Sequence, residues 1–187
     1  MSSQVVELTA PSQLRDGRRV SLRRLDADDA EAVAILYQRL TDHDRYYRFF
    51  TLNPVRLDQL VGKMIEPGSG QCALGAFAGD RLIGVANYTV SDDETVADIA
   101  IVVAHEYHSV GVGAALLKHL AQIARANGIR HFEADVLADN DPMLVVLFDF
   151  GWPSGRLNHG SVLHLNIELP DCISASTASN GVPQQGV

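Results

Sequence analysis

The sequence predicts an α/β (α+β) fold, a sheet flanked by helices, and three observations predict it. Across residues 97–113 (ADIAIVVAHEYHSVGVG) an apolar, β-branched run of Ile99, Ile101, Val102 and Val103 stops at a short polar turn. Two glycines, Gly111 and Gly113, then open a segment with helical spacing. Upstream, residues 72–78, 81–90 and 95–104 read as three strands. Gly79-Asp80 is a two-residue hairpin signal between the first two, and Ser91-Asp92-Asp93-Glu94 is a longer polar turn before the third. Downstream, helix and strand patterns alternate to the end of the patterned chain.

The elements follow in order. Residues 1–18 are polar and expected to be loose. Residues 19–24 (RVSLRR) alternate like a short strand with Val20 and Leu22 on one face. Asp26 to Asp29 offer caps for a helix to about Leu40, on which Ala30, Val33, Ala34, Leu36 and Tyr37 fall near helical spacing. The cluster Arg45-Tyr46-Tyr47-Arg48-Phe49-Phe50 follows, then Pro54 and a helix over 57–64. The helix after the glycines turns Gly113, Leu116, Leu117, Leu120, Ile123 and Ala124 inward, and Asn127-Gly128 closes it. Residues 131–137 form another strand. Asp141-Pro142 begin a helix through Phe148, since proline suits a first helical position, and 161–169 alternate as a last strand. From residue 170 to 187 the composition is that of a disordered tail.

The chain of 187 residues is expected to form one domain over 19–169. Its 47% apolar and 20% charged content is that of a soluble globular protein. No apolar run approaches a membrane span and the N-terminus has no hydrophobic signal core. Cys72 and Cys172 form no metal-like pair, which fits a reduced, cytoplasmic chain. A net charge of −8 argues against nucleic acid and suits a cationic substrate such as an amine. No set of His, Cys and acids has metal-ligand spacing, so no metal is expected.

A strand that runs into a glycine turn and a helix N-terminus gathers unpaired N–H groups and the positive end of the helix dipole. Something carrying phosphate is expected there. A Walker loop is excluded because Ala114-Ala115 stand where Lys and Ser or Thr are needed, and a dinucleotide fingerprint fails because Leu116 takes the third glycine's place. The competing explanation is that the glycines only permit close helix–strand packing.

With the order of elements, His108-Ser109-Val110-Gly111-Val112-Gly113-Ala114, Asn140-Asp141-Pro142-Met143 and Gly151-Trp152, residues 19–169 resemble the GNAT superfamily of acyl-CoA-dependent N-acetyltransferases. RYYRFF at 45–50, Val85-Ala86-Asn87-Tyr88 and Ala97-Asp98-Ile99-Ala100 are similar to the Pat-type protein-lysine acetyltransferases. The resemblance implies a mixed, mostly antiparallel sheet of about six to seven strands flanked by helices. It implies acetyl-CoA as co-substrate and an amine, a protein lysine, as acceptor. Coenzyme contacts are then expected at His108, Ser109, Val110, Gly111, Val112, Gly113 and Ala114. The backbone of Ile101, Val102 and Val103 would pair with the pantetheine amides, and Asn140, Met143 and Phe148 would add contacts from the following helix.

Two family positions differ. His108 stands where Gln or Arg is frequent, and Val110 stands where an Arg usually precedes the first glycine, so one fixed cation is missing. The base that the resemblance implies is a Glu, and the aligned residue here is Asp98. An acid inside so apolar a run is hard to explain as packing, although a solvated position near the strand's start would also account for it. Glu106 and His105, in the turn, are rival bases. The helix after Asn140 offers Phe148 and Phe150 rather than a Tyr to protonate a leaving thiolate. Tyr46, Tyr47, Phe49 and Phe50 either line an acceptor entrance or anchor the helical part to the core, with Arg45 and Arg48 solvated. The acceptor could instead be a small amine, and the departures also suit a non-catalytic acyl-CoA-binding module.

Overall fold

Burial alternates along the outer strands Arg19–Arg24 and Val162–Glu168 and runs nearly unbroken along the central ones, Gln71–Ala78 and Arg81–Val90, which are covered on both faces. The computed structural model describes residues 10–50, 56–150 and 155–170. Among these, eight strands are formed, β1 (Ala10–Gln13), β2 (Arg19–Arg24), β3 (Gln71–Ala78), β4 (Arg81–Val90), β5 (Val96–Val103), β6 (His131–Leu137), β7 (Gly155–His159) and β8 (Val162–Glu168). Their spatial order is β1-β2-β3-β4-β5-β6-β8-β7, antiparallel throughout except for the parallel pair β5 and β6. The helices are α1 (Ala30–Gln38), α2 (Asp42–Phe49), α3 (Leu57–Ile65), α4 (Val112–Ala126) and α5 (Asp141–Phe150). The mixed, mostly antiparallel sheet flanked by helices is the expected one. Two short strands, β1 and β7, are additional to the six read from the sequence.

β1 corrects one expectation. Residues 10–18 are not loose: β1 pairs with β2 from Ala10↔Leu22 to Gln13↔Arg19, and Leu14 is buried. Backbone pairing holds this polar stretch, and composition does not report backbone pairing. Residues 1–9, the expected tail from 171 onward with Cys172, and the Gly151-Trp152 part of the motif lie outside the described residues.

Each face of the sheet has its own core. On one side α4 inserts Leu116, Leu117 and Leu120, all fully buried, against Leu74, Ile83 and Phe132 of the strands. Each such leucine contributes about 1.5–3 kcal/mol by leaving water. On the other side α1 and α3 bring Val33, Leu36, Tyr37, Val61 and Met64 onto Ala73, Phe77 and Val85. The inward positions of α4 follow the 3.6-residue period, and Gly128, at φ 88°, ends the helix as read. The segment RYYRFF folds as most of α2, capped by the Thr41 hydroxyl, which accepts from the Asp44 N–H at 3.1 Å.

Candidate active site

β5 and β6 pair over only three rungs, Val96↔His131, Ala97↔Phe132 and Asp98↔Glu133. Beyond these, β5 continues to Val103 and β6 to Leu137 without pairing. The strands part like a V. The backbone groups of β5 that would have met β6 are left facing the gap, where an amide-bearing chain can take them. A cavity of about 600 Å³ opens there.

Its walls are residues 98–103 of β5, 133–136 of β6, His108 and Ser109 in the turn, and 111–114 at the start of α4. Asn140, just before α5, and Met143 on it close the cavity from one side, with Tyr47 and Arg48 from α2 and Arg15 from the β1–β2 turn. Tyr47 donates from its hydroxyl to the Asp139 carbonyl at 2.6 Å, tying α2 to the loop before α5.

The two motif glycines have different reasons. Gly111 caps α4 at φ 101°, a backbone that a Cβ strains. The first intrahelical bond runs from Ala115 N–H to Gly111 O at 3.0 Å, so the preceding N–H groups have no partner inside the helix. Gly113 serves close packing: a Cβ there would lie 3.1 Å from Val146 Cγ2 of α5. The anion reading fits Gly111 and the packing reading fits Gly113.

Of the residues expected to contact the coenzyme, Ile101, Val102, Val103, His108, Ser109, Gly111, Val112, Gly113, Ala114, Asn140 and Met143 line the cavity. Asn140 is buried and caps α5, its Oδ1 accepting from Met143 N–H at 3.2 Å. Two expectations are corrected. Val110 packs against the core and turns its carbonyl to Arg15 N–H at 3.0 Å. Phe148 lies away from the cavity on the outer face of α5, 64% exposed, because the helical period that brings Met143 and Leu147 inward carries it outward.

The acids separate clearly. Asp98 lines the cavity on the last β5–β6 rung. Its carboxyl is pushed above the usual range, first by partial loss of hydration and then by the like charges of Glu133 and Asp135, with His164 opposing. Glu106 is corrected as a candidate base. It sits outside the cavity, exposed, paired with Arg81. Its own backbone N–H and the Arg81 guanidinium hold it below the usual carboxylate range. His164 donates to Asp135 Oδ1 at 2.7 Å, which lifts its pKa.

Sequence spacing missed one cluster. Asp44, His105 and His108 place their ligand-type atoms within 4.8 Å of one another. His108 Nε2 donates to the Val103 carbonyl at 2.9 Å, which occupies the nitrogen that faces Asp44. His105 Nδ1 meets Asp44 Oδ2 at 3.2 Å, and Thr41 Oγ1 donates to the same oxygen at 2.7 Å. These bonds latch α2 to the turn before α4. Arg15, Asp44, Glu133 and Asp135 were also missed as wall residues, since they come from three distant stretches of chain, the β1–β2 turn, α2 and β6. Arg48 lines the cavity beside Phe49, 5.0 Å from its ring centroid, rather than being simply solvated.

Comparison with known proteins agrees with this geometry. The model of the acetyltransferase (GNAT) family matches residues 28–150. An acetyltransferase of Pseudomonas aeruginosa is 31% identical over 135 residues, covering 70% of this chain and 73% of that one. The GNAT domain of Streptomyces lividans PAT superposes with a TM-score of 0.81 at 30% identity, over 89% of this chain and 100% of that one. yncA from Salmonella typhimurium, solved with its cofactor acetyl-CoA, shares the fold at a TM-score of 0.67 and 16% identity, over 84% and 98% of the two chains. With its parted β5 and β6 and its glycine-capped helix, this chain belongs to the GNAT family of acetyltransferases and is an acyltransferase.

Proposed function

We propose that the protein transfers an acetyl group from acetyl-CoA directly to an amine, the side chain of a protein lysine. The carrying observation is the parting of β5 from β6, which leaves one open strand edge between the Gly111 turn and Asp98. An acyl-CoA fits that edge by its chemistry. Its pyrophosphate suits the N–H groups at the start of α4 and its pantetheine amides suit the β5 backbone.

In the transfer the neutral amine nitrogen attacks the thioester carbonyl carbon. A C–N bond forms, the C–S bond breaks, and coenzyme A leaves as a thiolate. Backbone N–H groups near Val102 and Val103 supply donors for the carbonyl oxygen as it gains charge. Asp98 takes the amine proton, directly or through water. Its raised pKa suits a base better than the depressed Glu106. No acid is needed for a thiolate, which accords with the absence of a tyrosine on α5. The resemblance of RYYRFF and its neighbours to Pat-type enzymes supports a protein acceptor.

The test is turnover of acetyl-CoA against a panel of lysine-bearing proteins and small amines, read as free thiol. Transfer to a protein supports the proposal. A small amine that outperforms every protein changes the acceptor. Tight coenzyme binding without release of thiol overturns catalysis and leaves a binding module.

A further inference from the structure

Asp98, Glu133 and Asp135 gather where β5 and β6 begin to part, and Asp44 lies against His108 in the turn before α4. Arg15 lines the cavity beside Gly111. It reaches there from a stretch of chain almost a hundred residues away from Gly111 in sequence, so no local motif contains it.

The main chain fixes its place. Leu14 N–H donates to Arg18 O at 2.8 Å and Gly17 N–H to Leu14 O at 3.0 Å, closing a tight turn between β1 and β2. Buried Leu14 anchors that turn. Arg15 N–H donates to Val110 O at 3.0 Å, in the turn that leads into α4. Its aliphatic stem runs over the glycine: Cγ lies 3.6 Å from where a side chain on Gly111 would begin. Cδ lies 4.0 Å from the same point and Arg15 lines the cavity, so its positive charge and the N–H groups at the start of α4 belong to one site, where they add for one anion.

We infer that Arg15 is a binding residue for the phosphates of the acyl-CoA, supplied in trans of the glycine turn by the β1–β2 turn. It stands in for the fixed cation that Val110 does not provide. The inference rests on the acyl-CoA reading above and deepens it: the N-terminal strand is part of the co-substrate site, and its docking gives that site its charge.

The experiment compares wild-type protein with Arg15→Gln and Arg15→Lys by calorimetric titration with coenzyme A and with 3′-dephospho-coenzyme A. The backbone bond to Val110 does not depend on the side chain, so both variants keep the turn, which a thermal melt verifies. Arg15→Gln weakens coenzyme A by about 10-fold, as loss of one charge-assisted contact should. Arg15→Lys retains most of the affinity. The salt dependence of binding is also shallower in Arg15→Gln than in wild type. A loss confined to coenzyme A assigns Arg15 to the 3′-phosphate, and an equal loss with the dephospho form assigns it to the pyrophosphate. Wild-type affinity in folded Arg15→Gln overturns the inference and leaves the acyl-CoA reading standing. Failure of the wild type to bind either coenzyme overturns both.

Discussion

Asp98 and Glu133 face each other across the last rung that β5 and β6 share before the strands part. Paired positions lie on one face of a sheet, so two carboxylates crowd the point where the backbone opens. Loss of hydration first and this crowding second raise the pKa of Asp98, which yields the first prediction.

Asp98 must be ionised to accept a proton, so its raised pKa places an acid limb in kcat/KM above the ordinary carboxylate range. Glu133→Gln removes a like charge and should move that limb to lower pH. Asp98→Asn should remove it and reduce kcat by about 10²–10⁴-fold with coenzyme affinity kept. Retention of most activity by Asp98→Asn would reject Asp98 as the base.

The glycines should respond differently. Gly111→Asp puts a side chain on a φ of 101° and a negative charge where phosphate is expected, and should abolish coenzyme binding in calorimetry. Gly113→Val should cost about 2 kcal/mol of folding stability through overpacking against Val146. Equal stability of Gly113→Val and wild type in urea would refute the packing role.

Tyr47→Phe deletes the bond to the Asp139 carbonyl while keeping the ring on His43, 4.1 Å away between centroids. KM should rise roughly 3- to 10-fold as the loop before α5 loosens, with kcat little altered. A fall in kcat at constant KM would instead give the hydroxyl a chemical role.

Asp29 accepts from Arg23 Nη1 at 2.6 Å, Arg23 Nη2 at 2.7 Å and the Asp26 N–H at 2.9 Å, which fixes the entry to α1. The Arg23 guanidinium holds its carboxyl below the usual range. That stabilisation is present above the unfolded value, about pH 4, and is lost as pH falls through the folded one. Asp29→Asn should therefore cost about 1–2 kcal/mol at pH 7, because Arg23 is partly solvated. The gap to wild type should close in acid, and a gap independent of pH would argue against the ion pair.

A cationic acceptor should approach an acidic protein faster at low salt. With a net charge of −8, kcat/KM for a lysine-bearing protein should fall as ionic strength rises. A rate indifferent to salt would rule out steering by surface charge.

Six of the eight described strands, four of the five helices, the inward stripe of α4, its close at Asn127-Gly128 and the start of α5 at Asp141-Pro142 were legible in the sequence. Each is a local consequence of side-chain period or backbone freedom. Phe148 was misread because one residue of register decides which way a helical side chain faces: Leu147 is buried and its neighbour Phe148 is exposed. Glu106 was misread because its partner, Arg81, lies across a strand. The tertiary structure alone decided that β5 and β6 pair for three rungs and then part, that Arg15 docks on the glycine turn, and that Asp44 meets two histidines. These are contacts between residues distant along the chain, and periodicity carries no information about which distant segments meet.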